Sequence, residues 1–193
     1  YGMSKIAEEQ FALNLGKRYN VPSVALRYSI VQGSRQSFRN AYSGACRIFS
    51  LAFNRGEEPI IYEDGNQVRD FVNIHDVVDA NILVMEDDRA NYEMFNIGGD
   101  QLMNINDFAK VVADVFEYDN YTPKASGSYR FGDTRYCFSD ISKIKSLGWS
   151  PKRSVRESVA EYKLWLDSND VEDLTQKCDE VMKNENVVRE TIN

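Results

Sequence analysis

The run Ser23-Val24-Ala25-Leu26-Arg27-Tyr28-Ser29-Ile30-Val31 restricts the fold more than any other stretch of the chain. It is strongly apolar, rich in β-favouring residues, and stopped by Gly33. Such a run is expected as a buried parallel strand. Ahead of it, Met3, Ile6, Ala7, Phe11, Leu13 and Leu15 mark a helix over residues 3–19, ended by Asn20 and Pro22. A second short buried strand is expected at Met94–Ile97, closed by Gly98-Gly99. Alternating helices and strands place the chain in the α/β class.

The remaining elements follow from periodicity and punctuation. Gln32–Tyr42 is polar and reads as a loop, followed by a helix from about Tyr42 to Asn54 that Gly56 closes. Pro59–Tyr62 and Gln67–Val72 flank Glu63-Asp64-Gly65-Asn66, and an Asp-Gly pair between two such runs predicts a hairpin. A helix is expected over His75–Glu86. Another is expected to be capped by Asn106, with Phe108, Val111, Val112, Val115 and Phe116 on one face. Asp119–Asp140 is loop-rich with short strands. Helices follow near 140–147 and 154–167, the second opened by a Ser154-x-x-Glu157 capping box. Residues 169–190 are polar and read as a loosely attached helix. Two buried strands make a poor sheet, and no strand–GxxGxxG–helix phosphate loop occurs. The chain is therefore expected to lack a dinucleotide-binding half and to start inside a larger fold.

Composition excludes some partners. The net charge of −7 argues against a nucleic-acid backbone. The stretch Asp167–Asn193, with eight acidic and three basic residues, carries −5 of it. No apolar run approaches the ~20 residues of a membrane span, and no signal peptide is read. Cys46, Cys137 and Cys178 form no CxxC, and their odd number argues against a disulfide framework. A reducing cytoplasm is the expected setting. With His75 as the one histidine, no histidine-based metal centre is expected.

Tyr1-Gly2-Met3-Ser4-Lys5 carries the chemistry. At i and i+4 on a helix, Tyr1 and Lys5 share a face, and an ammonium beside a phenol favours the phenolate. Bringing a phenol from about 10 towards neutrality requires about 4 kcal/mol of differential stabilisation. Such a pair can act as a general acid/base on a sugar or alcohol hydroxyl.

Six motifs in order extend this reading. After Tyr1-x-x-x-Lys5 come Leu26-Arg27-Tyr28-Ser29-Ile30-Val31-Gln32-Gly33-Ser34-Arg35-Gln36 and Asp64-Gly65-x-x-x-Arg69-Asp70-Phe71-Val72-x-Ile74-x-Asp76-Val77-Val78-x-Ala80. Phe95-Asn96-Ile97-Gly98-Gly99, Arg130-Phe131-Gly132-Asp133 and Asp140-x-x-Lys143-x-x-x-x-Leu147-Gly148-Trp149-x-Pro151 complete the set. Together, from Tyr1 to about Leu166, they resemble the C-terminal portion of the extended short-chain dehydrogenase/reductases, specifically the nucleotide-sugar epimerases and dehydratases.

The resemblance implies a Rossmann domain carrying NAD and a smaller domain carrying a UDP- or dTDP-linked sugar. Residues 1–33 and 74–102 would be the last elements of the Rossmann domain, with the catalytic helix. Residues 34–73 and 103–167 would form the substrate domain, and 168–193 an acidic tail. Tyr1 would be the general base, with Lys5 tuning it and bonding the nicotinamide ribose, and Tyr28 on the cofactor side. Arg69 and Arg130 would clamp the diphosphate, with Asp133 holding a ribose hydroxyl or orienting Arg130. Arg35, Gln36 and Asn40 would lie by the sugar, Tyr62 and Ile60 by the base. Reversible oxidation at C4 would make the enzyme a 4-epimerase. A 4,6-dehydratase is the alternative, and a non-catalytic nucleotide-sugar-binding module the alternative of another class. A homodimer is expected in the complete protein, through a four-helix bundle that includes the Tyr-x-x-x-Lys helix. The chain departs from the family pattern at Ile30, where the family has an Asn that often contacts the sugar nucleotide. Gln32 replaces a Tyr and Ser34 a Pro, so that substrate contact is missing or comes from Ser29 or Gln32.

Overall fold

The structure, a computed structural model, describes residues 1–38, 44–169, 180–181, 183–185 and 187–190. Helix α1 spans Gly2–Tyr19 and ends where Asn20 takes a left-handed conformation, φ 53°. The Val21 N–H then donates to the Gly16 carbonyl at 2.9 Å. Gly16 lies so close to Ser23 that a Cβ there would overlap the Ser23 hydroxyl, which lets the chain turn tightly off the helix.

The run expected as one buried strand is two strands in two sheets. β1 (Ala25–Tyr28) pairs in parallel with β4 (Met94–Ile97), whereas β2 (Ile30–Gln32) pairs in parallel with β3 (Val68–Asn73). Ser29 is the joint. Its N–H still donates to the Ile97 carbonyl at 2.8 Å, while its hydroxyl donates to Asp70 Oδ2 at 2.8 Å, drawing the next residues towards β3. The parallel direction is as the sequence suggests, but the burial is not. Among the described residues β1 has β4 as its one strand neighbour, and Tyr28 at its end is half exposed.

Asp64-Gly65 makes a turn but no hairpin. Gly65 has φ +72° and packs against the Asn106 side chain, leaving no room for a Cβ. The flank Pro59–Tyr62 forms no strand; Ile61 makes an isolated bridge to Ala125. β3 instead takes distant partners, β5 (Leu102–Asn104) antiparallel and β7 (Tyr136–Cys137) parallel. Arg135, just before β7, donates to both Asp64 carboxylate oxygens at 2.6 Å and holds that carboxyl well below the usual range.

The helices follow their patterns, with one shifted cap. α2 covers Ala45–Asn54; Tyr42 and Ser43, where its start is expected, lie outside the described residues. α3 (Ile74–Glu86) is capped by Asn73, which accepts from the His75 N–H, and the imidazole stays half exposed. α4 (Ile105–Val115) is capped by Asn104, not Asn106. The Asn106 side chain reaches back to the Asp64 carbonyl, tying the helix to the turn. β6 (Ser128–Arg130), α5 (Ser142–Lys145) and α6 (Val155–Asp167) follow, and both halves of the Ser154/Glu157 capping box are present. The polar C-terminal stretch is not simply a loose helix. Val188–Glu190 forms β8, antiparallel to β6.

Two apolar clusters meet at β3. On one side Phe71 stacks on Phe108, ring centroids 4.3 Å apart, among Phe49, Phe53, Val112, Val159 and Tyr162 from α2, α4 and α6. On the other, Val72 packs with Val77, Ala80, Val84, Phe95, Ile97, Ile144 and Trp149. Successive strand residues point to opposite faces, so neighbours in sequence feed different cores. Gly98-Gly99 cross the β3 backbone so closely that a Cβ on Gly99 would overlap the Phe71 carbonyl oxygen.

Candidate functional site

The alternation that divides Phe71 from Val72 also builds a cavity of about 420 Å³. Gln67 just ahead of β3, and Arg69 and Phe71 within it, two residues apart, all line it. α2 adds Ala45, Ile48, Phe49 and Ala52, and β2 adds Ile30. Pro59, Ile60 and Tyr62 close one side, Arg130 comes from the end of β6, and Asp133 from the segment just after it. Cations and apolar surface therefore share one concave site.

Arg69 is buried, with 8% of its surface exposed. Its guanidinium donates to Asp133 Oδ1 at 2.8 Å and to the Val68 carbonyl at 2.9 Å. A buried cation needs such a partner, and five N–H donors leave capacity for an anion as well. Asp133 thus orients Arg69, not Arg130 as its motif suggests. Among the described residues the Arg130 guanidinium has no carboxylate or carbonyl paired with it. Asp70 points the other way. It is 2% exposed and accepts from the Ser29 hydroxyl, the Gly99 N–H at 2.8 Å and the Ser139 N–H at 3.2 Å. The Arg69-Asp70 dipeptide therefore sends one charge into the cavity and one into the joint between the sheets.

Tyr1 and Lys5 lie outside this cavity. Tyr1 is 95% exposed, and the Lys5 ammonium sits 5.7 Å from its ring centroid. Lys5 donates to Glu8 at 2.7 Å, and that bond raises its pKa above the ordinary lysine value. The pair shares a helix face but the ammonium is engaged by Glu8. The Tyr28 hydroxyl donates to Asn81 at 3.0 Å. Gln36 is not among the cavity-lining residues, and Asn40 lies outside the described residues.

These residues do not amount to a dinucleotide site. Gly98-Gly99 is the only glycine pair in the chain, and its Gly99 N–H is consumed by Asp70 while its backbone abuts Phe71. It cannot cradle a phosphate. Tyr1 and Lys5 are open to solvent.

Several lining residues carried no motif of their own. Gln67 was available from the period of two through Arg69. Its Nε2 donates to the Tyr62 carbonyl at 3.1 Å, binding the two cavity walls together. Arg55, Glu57 and Glu58 lie just past α2, where the sequence shows only a helix end. Ile48 and Phe49 read as core and are also cavity wall.

Residues 1–98 match the NAD dependent epimerase/dehydratase family. The chain is 33% identical over 167 residues to a dTDP-L-rhamnose 4-epimerase of Burkholderia thailandensis, covering 86% of this chain and 46% of that protein. It is 30% identical over 172 residues to a putative UDP-glucose 4-epimerase of Methanocaldococcus jannaschii, covering 88% and 53%. Among solved structures, the UDP-glucose 4-epimerase of Thermotoga maritima with UDP-glucose superposes with a TM-score of 0.79 at 34% identity, over 87% of this chain and 53% of that one. The UDP-N-acetylglucosamine 4-epimerase of Methanobrevibacter ruminantium, in complex with UDP-N-acetylmuramic acid, gives 0.78 at 31% identity, with the same coverage. The chain spans about half the length of these relatives.

Proposed function

This chain belongs to the NAD dependent epimerase/dehydratase family, and we propose on that footing that it is the substrate-holding portion of a nucleotide-sugar 4-epimerase. The observation that carries the reading is the cavity, in which Arg69 and Arg130 stand beside an apolar wall. Guanidinium matches the oxygens of a diphosphate, and Ile60 and Tyr62 offer a surface for a pyrimidine base. The two curated relatives described above are named a dTDP-L-rhamnose 4-epimerase and a putative UDP-glucose 4-epimerase. Residues 34–73 and 103–167 would form the substrate domain, although Ile141, Ile144 and Trp149 pack in the cluster with β4. Tyr1 would take the proton from the sugar hydroxyl and return it. Lys5, released from Glu8, would hold the phenolate. Tyr1, Lys5 and Tyr28 would hold the nicotinamide end of NAD, which would supply the hydride chemistry. Met3, Ile6, Phe11 and Leu15, exposed on α1, support association of this helix with the rest of the fold and with a second subunit.

Calorimetric titration of the complete protein tests the cavity. UDP is expected to bind and uridine to bind far more weakly. Arg69→Ala should weaken UDP roughly 10- to 100-fold, because each charge-assisted hydrogen bond contributes about 1.5–3 kcal/mol. Uridine binding as tightly as UDP, or Arg69→Ala binding UDP unchanged, would remove the diphosphate from this site.

A further inference from the structure

The C-terminal residues return to the rim of the cavity. β8 pairs Val188 with Arg130, Arg189 with Tyr129 and Glu190 with Ser128. The ladder continues one residue further, where the Phe131 N–H donates to the Val187 carbonyl at 2.9 Å. The Arg189 guanidinium lies 4.0 Å from the centroid of the Phe131 ring. Among the described residues β8 is the one strand neighbour of β6.

The two cavity arginines are held differently. Arg69 is fixed through its side chain by Asp133 and sits within a strand that has neighbours on both edges. Arg130 has no such side-chain partner among the described residues, so its backbone must place it. That backbone lies at the end of β6, in register with Val188, and the next residue is gripped twice, by Val187 and by Arg189. A cation ordered before the anion arrives binds it with less entropy lost.

We propose that residues 187–190 are a positioning strap for Arg130, with Arg189 as its anchoring residue, so that the C-terminal segment sets the affinity of the cavity for a nucleotide diphosphate. This rests on the reading of the cavity as a diphosphate site. It gives the acidic stretch a task that its composition hides: Arg189 is one of only three basic residues after Leu166, and it is paired with Tyr129 of β6.

The test uses the complete protein, UDP as the probe, and four variants: deletion of residues 187–193, Arg189→Pro, Arg189→Ala and Arg189→Lys. Antiparallel pairs exchange hydrogen bonds at alternate positions. Since Phe131 bonds Val187, the Tyr129–Arg189 pair is bonded as well, and proline at 189 breaks it. The deletion and Arg189→Pro should raise the UDP Kd about tenfold and raise KM for the sugar substrate in parallel, with kcat within about twofold. Arg189→Ala should weaken UDP by a smaller factor, and Arg189→Lys should restore most of that loss. In an Arg130→Ala background the strap variants should cost nothing further, because they act through that residue. Unchanged UDP affinity in the deletion and Arg189→Pro variants overturns the strap. So does a loss that adds in full to that of Arg130→Ala, which would mark a merely structural role. Failure of the parent protein to bind UDP is a separate result, and overturns the diphosphate reading beneath it.

Discussion

Tyr1→Phe in the complete protein is expected to lower turnover of the nucleotide sugar about 10²–10⁴-fold, the range of a lost general acid/base. UDP affinity should not change, because Tyr1 lines no part of the cavity that holds Arg69 and Arg130. Phenylalanine keeps the ring, so the helix start is undisturbed. The effect then belongs to one proton-carrying oxygen. Lys5 sharpens the expectation. Its contact with Glu8 raises its pKa, so the ammonium stays charged through neutral pH. A change to Met at position 5 should therefore impair turnover by removing that charge. Steady-state kinetics with a UDP- or dTDP-hexose read both variants. Turnover within about threefold of the parent in Tyr1→Phe would take the acid/base role away from this residue.

Asp70→Ala should cost roughly 3–5 kcal/mol of stability, because a buried carboxylate with several partners leaves donors orphaned when it goes. The Gly99 N–H and the Ser139 N–H lose their acceptor, and the Ser29 hydroxyl keeps only Ser139 Oγ at 2.7 Å. All three sit where the chain passes from β1 to β2 and where Gly98-Gly99 cross β3. Asp70→Asn keeps one acceptor and should lose less. Thermal unfolding followed by circular dichroism gives the measurement. A melting temperature lowered by less than about 2 °C in Asp70→Ala would show that the joint is held by something else.

What the sequence revealed was what depends on near neighbours. The helix expected over residues 3–19 spans Gly2–Tyr19, and the Ser154/Glu157 capping box and the Phe108-to-Val115 face, set by spacings of three and four, are where the pattern puts them. The Asp64-Gly65 turn is local too, but its strands are not. β3 takes its partners from residues 32 to 68 positions away in sequence, and a turn motif says nothing of those. The same distance hid the link from Arg69 to Asp133, 64 residues apart. The split at Ser29 was hidden because the run on either side is equally β-favouring; only the competing acceptors, Ile97 and Asp70, decide where it changes sheets. The cavity arginines were legible as motifs. The apolar wall from α2 was not, since an inward-facing Ile or Phe looks the same whether it fills a core or lines a ligand site.

The placement of β3 has a consequence for how the molecule comes apart. Phe71 and Val72 are joined by one peptide bond yet belong to different apolar clusters. Neither cluster can lose its packing without freeing the strand that the other leans on. The two cores are thus mechanically in series, and unfolding them one at a time would expose apolar surface on both sides of a shared wall. The described chain is expected to melt in a single cooperative step.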